Sequence, residues 1–248
     1  MHPCKTIKND YIMTEPFYLS RELPTFLAGH NVLFITGIDT GIGKTYATAA
    51  LANALIRSGR KAITQKMIQT GCETLSEDIL MHRQLMHLPL LDSDRDGTTA
   101  PVILSYPSSP HLAARIDRTE ISLERITAAT RKLSALYDNV LLEGAGGLMV
   151  PIRENRPGEP PHPLGGYLTI DYLRERQYPA VLVTGGKLGS LNHTLLSLDA
   201  CRTRDIPVVL IVYNLYPDSD PVITRSSLDY LCSLDIPVAR LEKEEESL

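Results

Sequence analysis

A chain of 248 residues has room for one large α/β domain or two small ones. Its 43% hydrophobic and 22% charged residues are ordinary for a globular protein, and a net charge of −4 gives no electrostatic reason to expect nucleic acid or an anionic membrane as a partner. The four cysteines (4, 72, 201 and 232) form no C-x-x-C pair, no apolar run reaches the length of a membrane span, and charges from Lys5 to Glu22 interrupt any signal-peptide core. The expectation is scattered thiols and cytoplasmic residence.

Residues 1–30 precede the first clear strand and contain Tyr11, Phe17, Tyr18 and Phe26, too apolar for a wholly disordered tail; they read as an N-terminal extension packed on a domain spanning 31–248. The apolar run 31–36 predicts a strand, and a helix follows from Lys44 to Ser58, closed by Gly59. Residues 61–66 form the second predicted strand, 67–77 a loop, and 78–87 a helix. The acidic stretch 92–99 reads as a surface loop, and Pro101 argues against a central strand in 100–106. A helix is expected after Ser109-Pro110-His111 and another over 122–137, capped by Ser122. A buried strand over 139–143 ends in an acid, and 153–166 carries the strongest loop signal in the chain. Helices over 167–177, 190–203 and 223–234 then alternate with strands over 180–184, 208–213 and 236–239, before a charged tail at 242–246.

Uniformly apolar strands alternating with helices predict an α/β fold with a mostly parallel sheet covered by helices on both faces. Ligands of such sheets bind beyond the carboxyl ends of the strands. Thr40, Lys66, Glu143, Gly185 and Asn214 all follow strand ends and are expected to share one crevice.

The first of those strand ends carries Gly37-Ile38-Asp39-Thr40-Gly41-Ile42-Gly43-Lys44-Thr45 between a strand and a helix, the context of a phosphate-binding loop. Backbone N–H groups there make a concave anion site at the positive end of a helix; Lys44 reaches the β- and γ-phosphates and the Thr45 hydroxyl holds Mg²⁺. Five residues, rather than the usual four, separate Gly37 from Gly43. Glu143 stands where such proteins place an acid on Mg²⁺, against the alternative of a plain strand-end carboxylate. Asp78 reads equally as a second magnesium ligand or a helix N-cap. Lys66 offers charge to a transferred phosphoryl group, although a lone lysine is more often simply solvated.

Six segments together resemble the dethiobiotin synthetase family, the ATP-dependent ligases of biotin synthesis. They are Thr36 to Thr45 with its longer gap, Lys66-Met67-Ile68-Gln69-Thr70-Gly71, Ser109-Pro110-His111, Glu143-Gly144-Ala145-Gly146-Gly147, Lys187-Leu188-Gly189-Ser190-Leu191-Asn192-His193, and Asn214. The resemblance implies a single P-loop domain around a sheet of about seven strands, working as a homodimer on 7,8-diaminononanoate, CO₂ or bicarbonate, and ATP. It assigns Gly37, Asp39, Thr40, Gly41, Ile42, Gly43, Lys44, Thr45 and Asn214 to nucleotide, with Asn214 on adenine. It assigns Thr45, Asp78 and Glu143 to Mg²⁺, and makes Lys44, Lys66 and Thr40 catalytic. Thr40, Lys66, Thr70 and Gly146 would line the diamine and carbamate, and Gly189 to Asn192 of a second subunit would receive the substrate carboxylate. The chain departs from the family's pattern at Met67, usually proline, at Gly41, in the long 153–166 loop and in its short C-terminus.

Two other classes compete. A partitioning-type ATPase switch would carry a lysine where Asp39 stands, and a P-loop module without catalysis would not be expected to keep Lys44, Lys66 and Glu143 together.

Overall fold

The computed structural model describes residues 17–18, 27, 29–156, 158, 160–216 and 220–243. Among these, seven strands make one sheet: β1 (Phe17–Tyr18), β2 (Val32–Gly37), β3 (Ala62–Lys66), β6 (Asn139–Glu143), β9 (Ala180–Gly185), β10 (Val208–Asn214) and β11 (Val238–Lys243), in the order β1-β11-β10-β9-β2-β6-β3. Every pairing from β11 across to β3 is parallel, and only the edge strand β1 runs antiparallel, Phe17 facing Lys243. Two short pairs stand outside the sheet: β4 (Gln69–Thr70) with β5 (Ile103–Leu104), and β7 (Pro151–Glu154) with β8 (Gly166–Leu168).

The sheet is buried on both faces because successive residues of each strand alternate between two cores. Leu33, Ile35 and Leu141 pack with helix α1 (Lys44–Arg57), while Phe34 and Leu142 pack with Met67, Ile170 and Tyr172 on the opposite side. Five alanines favour the helical state of α1 and leave little bulk between it and the sheet. Gly59, at φ 86°, ends the helix in a left-handed turn that a Cβ would strain.

Among the described residues the other helices are α2 (Glu77–Leu85), α3 (Asp92–Arg95), α4 (Pro110–Ile116), α5 (Leu123–Ser134), α6 (Thr169–Arg176), α7 (Ser190–Arg202) and α8 (Pro221–Cys232). Ser122 caps α5 by accepting from the Arg125 N–H, and Pro110 stands in the first turn of α4, where its missing N–H costs nothing. From β2 the chain crosses to the edge strand β3 and returns to insert β6 between them, then builds the other side through β9, β10 and β11. The carboxyl end of β2 is therefore a switch point, and the phosphate loop leaves from it.

Several local expectations need correction. Residues 92–99 do not form a surface loop: α3 turns Asp94 inward onto Arg83, a pairing that local polarity does not signal. The predicted loop 67–77 contains β4, and 153–166 is bordered by the β7–β8 ribbon, so Tyr167 is a strand residue rather than the start of a helix. Cys72 and Cys201 are buried thiols as expected, but Cys232 is disulfide-bonded. Most of the 1–30 extension and the tail beyond 243 lie outside the described residues. Among the described residues, no helix is long and apolar enough to cross a membrane.

Candidate active site

The phosphate loop is shaped by its glycines. Gly43 is the N-cap of α1 at φ 96°, and a Cβ there would strike the Asn214 amide. A side chain at position 43 would therefore be excluded twice, by backbone conformation and by a neighbour from another strand. The N–H groups of the first turn of α1 have no helical partner and open toward the cleft, as an anion site requires. Lys44 is buried, and its Nζ donates to the Asp39 carbonyl at 3.0 Å. Burial lowers the Lys44 pKa, and the nearby carboxylates, Glu143 first, restore only part of it. An incoming polyphosphate would return the stabilisation that burial removes.

Facing that loop is a cluster of buried charge. Lys66 ends β3 and Glu143 ends β6, and the register of these neighbouring strands sets the two side by side. Lys66 Nζ donates to Glu143 Oε1 at 2.8 Å and to the Gly144 carbonyl at 3.2 Å, and it is also ion-paired with Asp78. The Thr45 hydroxyl lies 3.2 Å from Asp78 Oδ1 and 3.3 Å from Glu143 Oε1. Burial works against both charges, but Glu143 and Asp78 outweigh it and raise the Lys66 pKa. In the same way Lys66 and His82 overcome burial to hold Glu143 well below the usual carboxylate range. The directions of both shifts favour the charged forms of Lys66 and Glu143.

The N-cap reading of Asp78 is excluded by its neighbour. Ser76 is the N-cap of α2, accepting from the Ile79 N–H, so Asp78 falls in the first turn with its side chain turned to the cleft. Gln69 of β4 fixes that helix end, its Oε1 accepting from Ser76 Oγ at 2.6 Å and the Asp78 N–H at 3.3 Å. Thr45, Asp78 and Glu143 supply hard oxygen donors of the kind Mg²⁺ takes. Among the described residues no group of three or more His, Cys, Asp or Glu is arranged as a metal cage.

Two cavities meet at Thr40 and Gly41. One, of about 650 Å³, is lined by Thr40, Gly41, Gly43, Lys44, Thr45, Lys66, Thr70, Asp78, Glu143 and Gly146. Gly146 adopts φ 67°, and a Cβ there would press on Val150 at 2.8 Å. The second, of about 520 Å³, is lined by Asp39, Thr40, Gly41, Ile42, Gly185, Asn214, Tyr216 and Asp220 among others. The strand ends thus converge on the phosphate loop, Lys66 and Glu143 on one side of it and Gly185 and Asn214 on the other, with Thr40 lining both. Asn214 Nδ2 donates to the Ile42 carbonyl at 2.9 Å, and its Oδ1 accepts from the Tyr216 N–H, so this side chain ties the loop to β10. Gly37 is buried behind the loop, where a Cβ would meet Ile42 at 2.6 Å. Gly189 caps α7 at φ 93°, and it and Asn192 are exposed, outside the linings of both chambers.

Sequence reasoning passed over His82 and Thr48. His82 Nε2 is 2.9 Å from Glu143 Oε2, and Thr48 Oγ1 is 3.0 Å from the same oxygen. The signal for His82 was its four-residue spacing from Asp78, which puts both on one face of α2.

Residues 31–238 match the model of a family described as an AAA domain, and the fold and loop define the class: a P-loop ATPase domain. The ATP-dependent dethiobiotin synthetase BioD 2 of Pasteurella multocida (strain Pm70) is 48% identical over 200 residues, which cover 81% of this chain and 89% of that protein. The ATP-dependent dethiobiotin synthetase BioD of Chlorobaculum tepidum is likewise 48% identical over 202 residues, 82% of this chain and 80% of its own. The chain belongs to the dethiobiotin synthetase family. A solved ParA family ATPase from Chlorobium tepidum TLS covers 87% of this chain and 86% of its own at a TM-score of 0.49 and 17% identity, too loose a likeness to bear on activity.

Proposed function

We propose that this protein closes the cyclic urea of dethiobiotin from 7,8-diaminononanoate, CO₂ and ATP. The observation that carries the reading is the meeting of Lys44 and Thr45 with the Lys66–Asp78–Glu143 cluster in one cleft, beside Thr40, Thr70 and Gly146. One amine of the substrate adds to CO₂ as a carbamate. A carbamate oxygen attacks the γ-phosphorus, the bond to the ADP oxygen breaks, and a carbamic–phosphoric anhydride results. The second amine then attacks the carbonyl carbon, expels phosphate and loses its proton.

Lys44 and Lys66 bind the γ-phosphoryl group and stabilise charge on its oxygens as it transfers. The raised pKa of Lys66 favours that role, since it enters as a cation already desolvated by the protein. Thr45, Asp78 and Glu143 would hold Mg²⁺, which would supply positive charge to offset that of the phosphates. Thr40 and Thr70 offer hydroxyls, and Gly146 a close backbone approach, along the diamine and carbamate. Asn214 recognises adenine from the second chamber, with Gly37, Asp39, Gly41, Ile42 and Gly43 shaping the nucleotide site.

A second copy of the chain would complete the site, offering Gly189 to Asn192 at the N-terminus of α7 to the substrate carboxylate. Exposed Leu188, Leu196 and Met149, at 83%, 62% and 45%, favour a homodimer through this surface. Residence in the cytoplasm fits the substrates, and residues 1–30 are read as an extension to the P-loop domain.

The test is to supply purified protein with diaminononanoate, bicarbonate, Mg²⁺ and ATP and follow product by mass spectrometry. Dethiobiotin should form in equal amount with ADP. ATP consumption indifferent to the diamine would overturn the reading and favour a nucleotide switch.

A further inference from the structure

Glu143 is 1% exposed, so its carboxylate depends on protein donors to settle its orientation. Its two oxygens face different surroundings. Oε1 accepts from Lys66 and lies near Thr45 on the cleft side, while Oε2 is met by His82 and Thr48. Thr48 has one proton to give, and its hydroxyl is closer to the Lys44 carbonyl, at 2.8 Å, than to Oε2 at 3.0 Å. His82 is the committed partner. Its ring is fully buried, Nε2 sits 2.9 Å from Oε2, and Nδ1 has no hydrogen-bond partner among the described residues. A carboxylate only accepts, so a proton lies on Nε2 and the ring is the donor in this contact. A residue that merely filled this space would be apolar, because a buried polar atom without a partner is unfavourable.

We infer that His82 is a positioning residue for divalent-cation binding, fixing Glu143 through Oε2 so that Oε1 stays turned toward Thr45 and Asp78. The inference rests on the reading of Glu143 as a magnesium ligand. Helix α2 delivers both halves of the arrangement, Asp78 to the ion and His82, one turn later on the same face, to the back of Glu143.

Two substitutions of matched length separate orientation from packing. H82Q keeps an N–H donor where Nε2 stands, whereas H82M fills similar space without one. Mn²⁺ affinity is measured by electron paramagnetic resonance in the presence of a non-hydrolysable ATP analogue, alongside metal-free binding of the same analogue. H82Q is expected to bind Mn²⁺ within about threefold of the unaltered protein, and H82M about 10- to 100-fold more weakly, with metal-free nucleotide binding unchanged. In turnover, H82M should need more Mg²⁺ for half-activation with little change in the KM for ATP. Equal Mn²⁺ affinity in H82M and the unaltered protein, or equal losses in H82Q and H82M, would overturn the inference while leaving the magnesium reading intact. If H82M does not fold, a tenfold or larger loss in folded H82Q overturns it alone. Failure of the unaltered protein to bind Mn²⁺ beyond what the analogue itself binds would instead overturn the magnesium reading, and this inference with it.

Discussion

Two ion clusters draw on helix α2, one through Arg83 and one through Asp78, and they differ in how they are matched. Around Arg83 every strong group is matched within the protein. The guanidinium makes a two-point pair with Asp94 at 2.8 and 2.9 Å and donates to the Thr64 hydroxyl, while Asp94 also accepts from the Leu91 N–H and the Thr99 hydroxyl. Around Lys66 the three ammonium protons are taken by Glu143, Asp78 and the Gly144 carbonyl, but the two carboxylates line a cleft of about 650 Å³ and keep acceptor capacity beside it. The first cluster is closed within the fold; the second borders the cleft to which the proposed chemistry is assigned. Burial of charge alone does not distinguish a stabilising pair from a working one, whereas the direction in which unspent donors and acceptors point does.

Substitutions can break this distinction. The largest expected effect is on stability: Arg83→Met strands Asp94 as a buried charge and should cost about 3–5 kcal/mol in chemical denaturation, with turnover per folded molecule little changed. Lys66→Ala should do the reverse, reducing kcat about 100- to 1,000-fold while ATP affinity by calorimetry changes far less. Equal loss of turnover and affinity would contradict the transition-state role of Lys66.

A smaller effect concerns acid. Burial pushes the Asp94 carboxyl up, but Arg83, the Leu91 N–H and the Thr99 hydroxyl outweigh it and leave the pKa lowered. Its stabilising contribution is therefore present above the unfolded pKa of about 4 and is lost as pH falls through the depressed folded value. Asp94→Asn should flatten the fall in Tm below about pH 5. The smallest effect should come from the exposed Arg115–Glu154 pair, 2.9 Å apart with both side chains about 60% exposed; Glu154→Gln should change stability by about 0–1 kcal/mol and leave kcat unaltered.

What the sequence revealed follows from how local each feature is. The strand 139–143 and the phosphate loop were legible because apolar runs and glycine spacing are contiguous in the chain. The assembly of Lys66 beside Glu143 was legible in outline, since parallel strands end on one side of a sheet. Asp94 was not, because its partner is Arg83 and an acidic stretch with turn residues looks the same whether it faces water or a buried guanidinium. His82 was hidden for the same reason: its partner lies 61 residues away, and the spacing from Asp78 places it on a face without saying what that face meets. The short strands β4 and β5 pair only with each other, and two residues are too few for a periodic signal.

The most direct measurement of the proposed chemistry follows an oxygen atom. Bicarbonate labelled with ¹⁸O, supplied with diaminononanoate, Mg²⁺ and ATP, should deliver one labelled oxygen to each phosphate released, because the carbamate oxygen that attacks the γ-phosphorus leaves with it. Dethiobiotin formed alongside unlabelled phosphate, under conditions where the bicarbonate keeps its label, would contradict the anhydride route and the role given to Lys66.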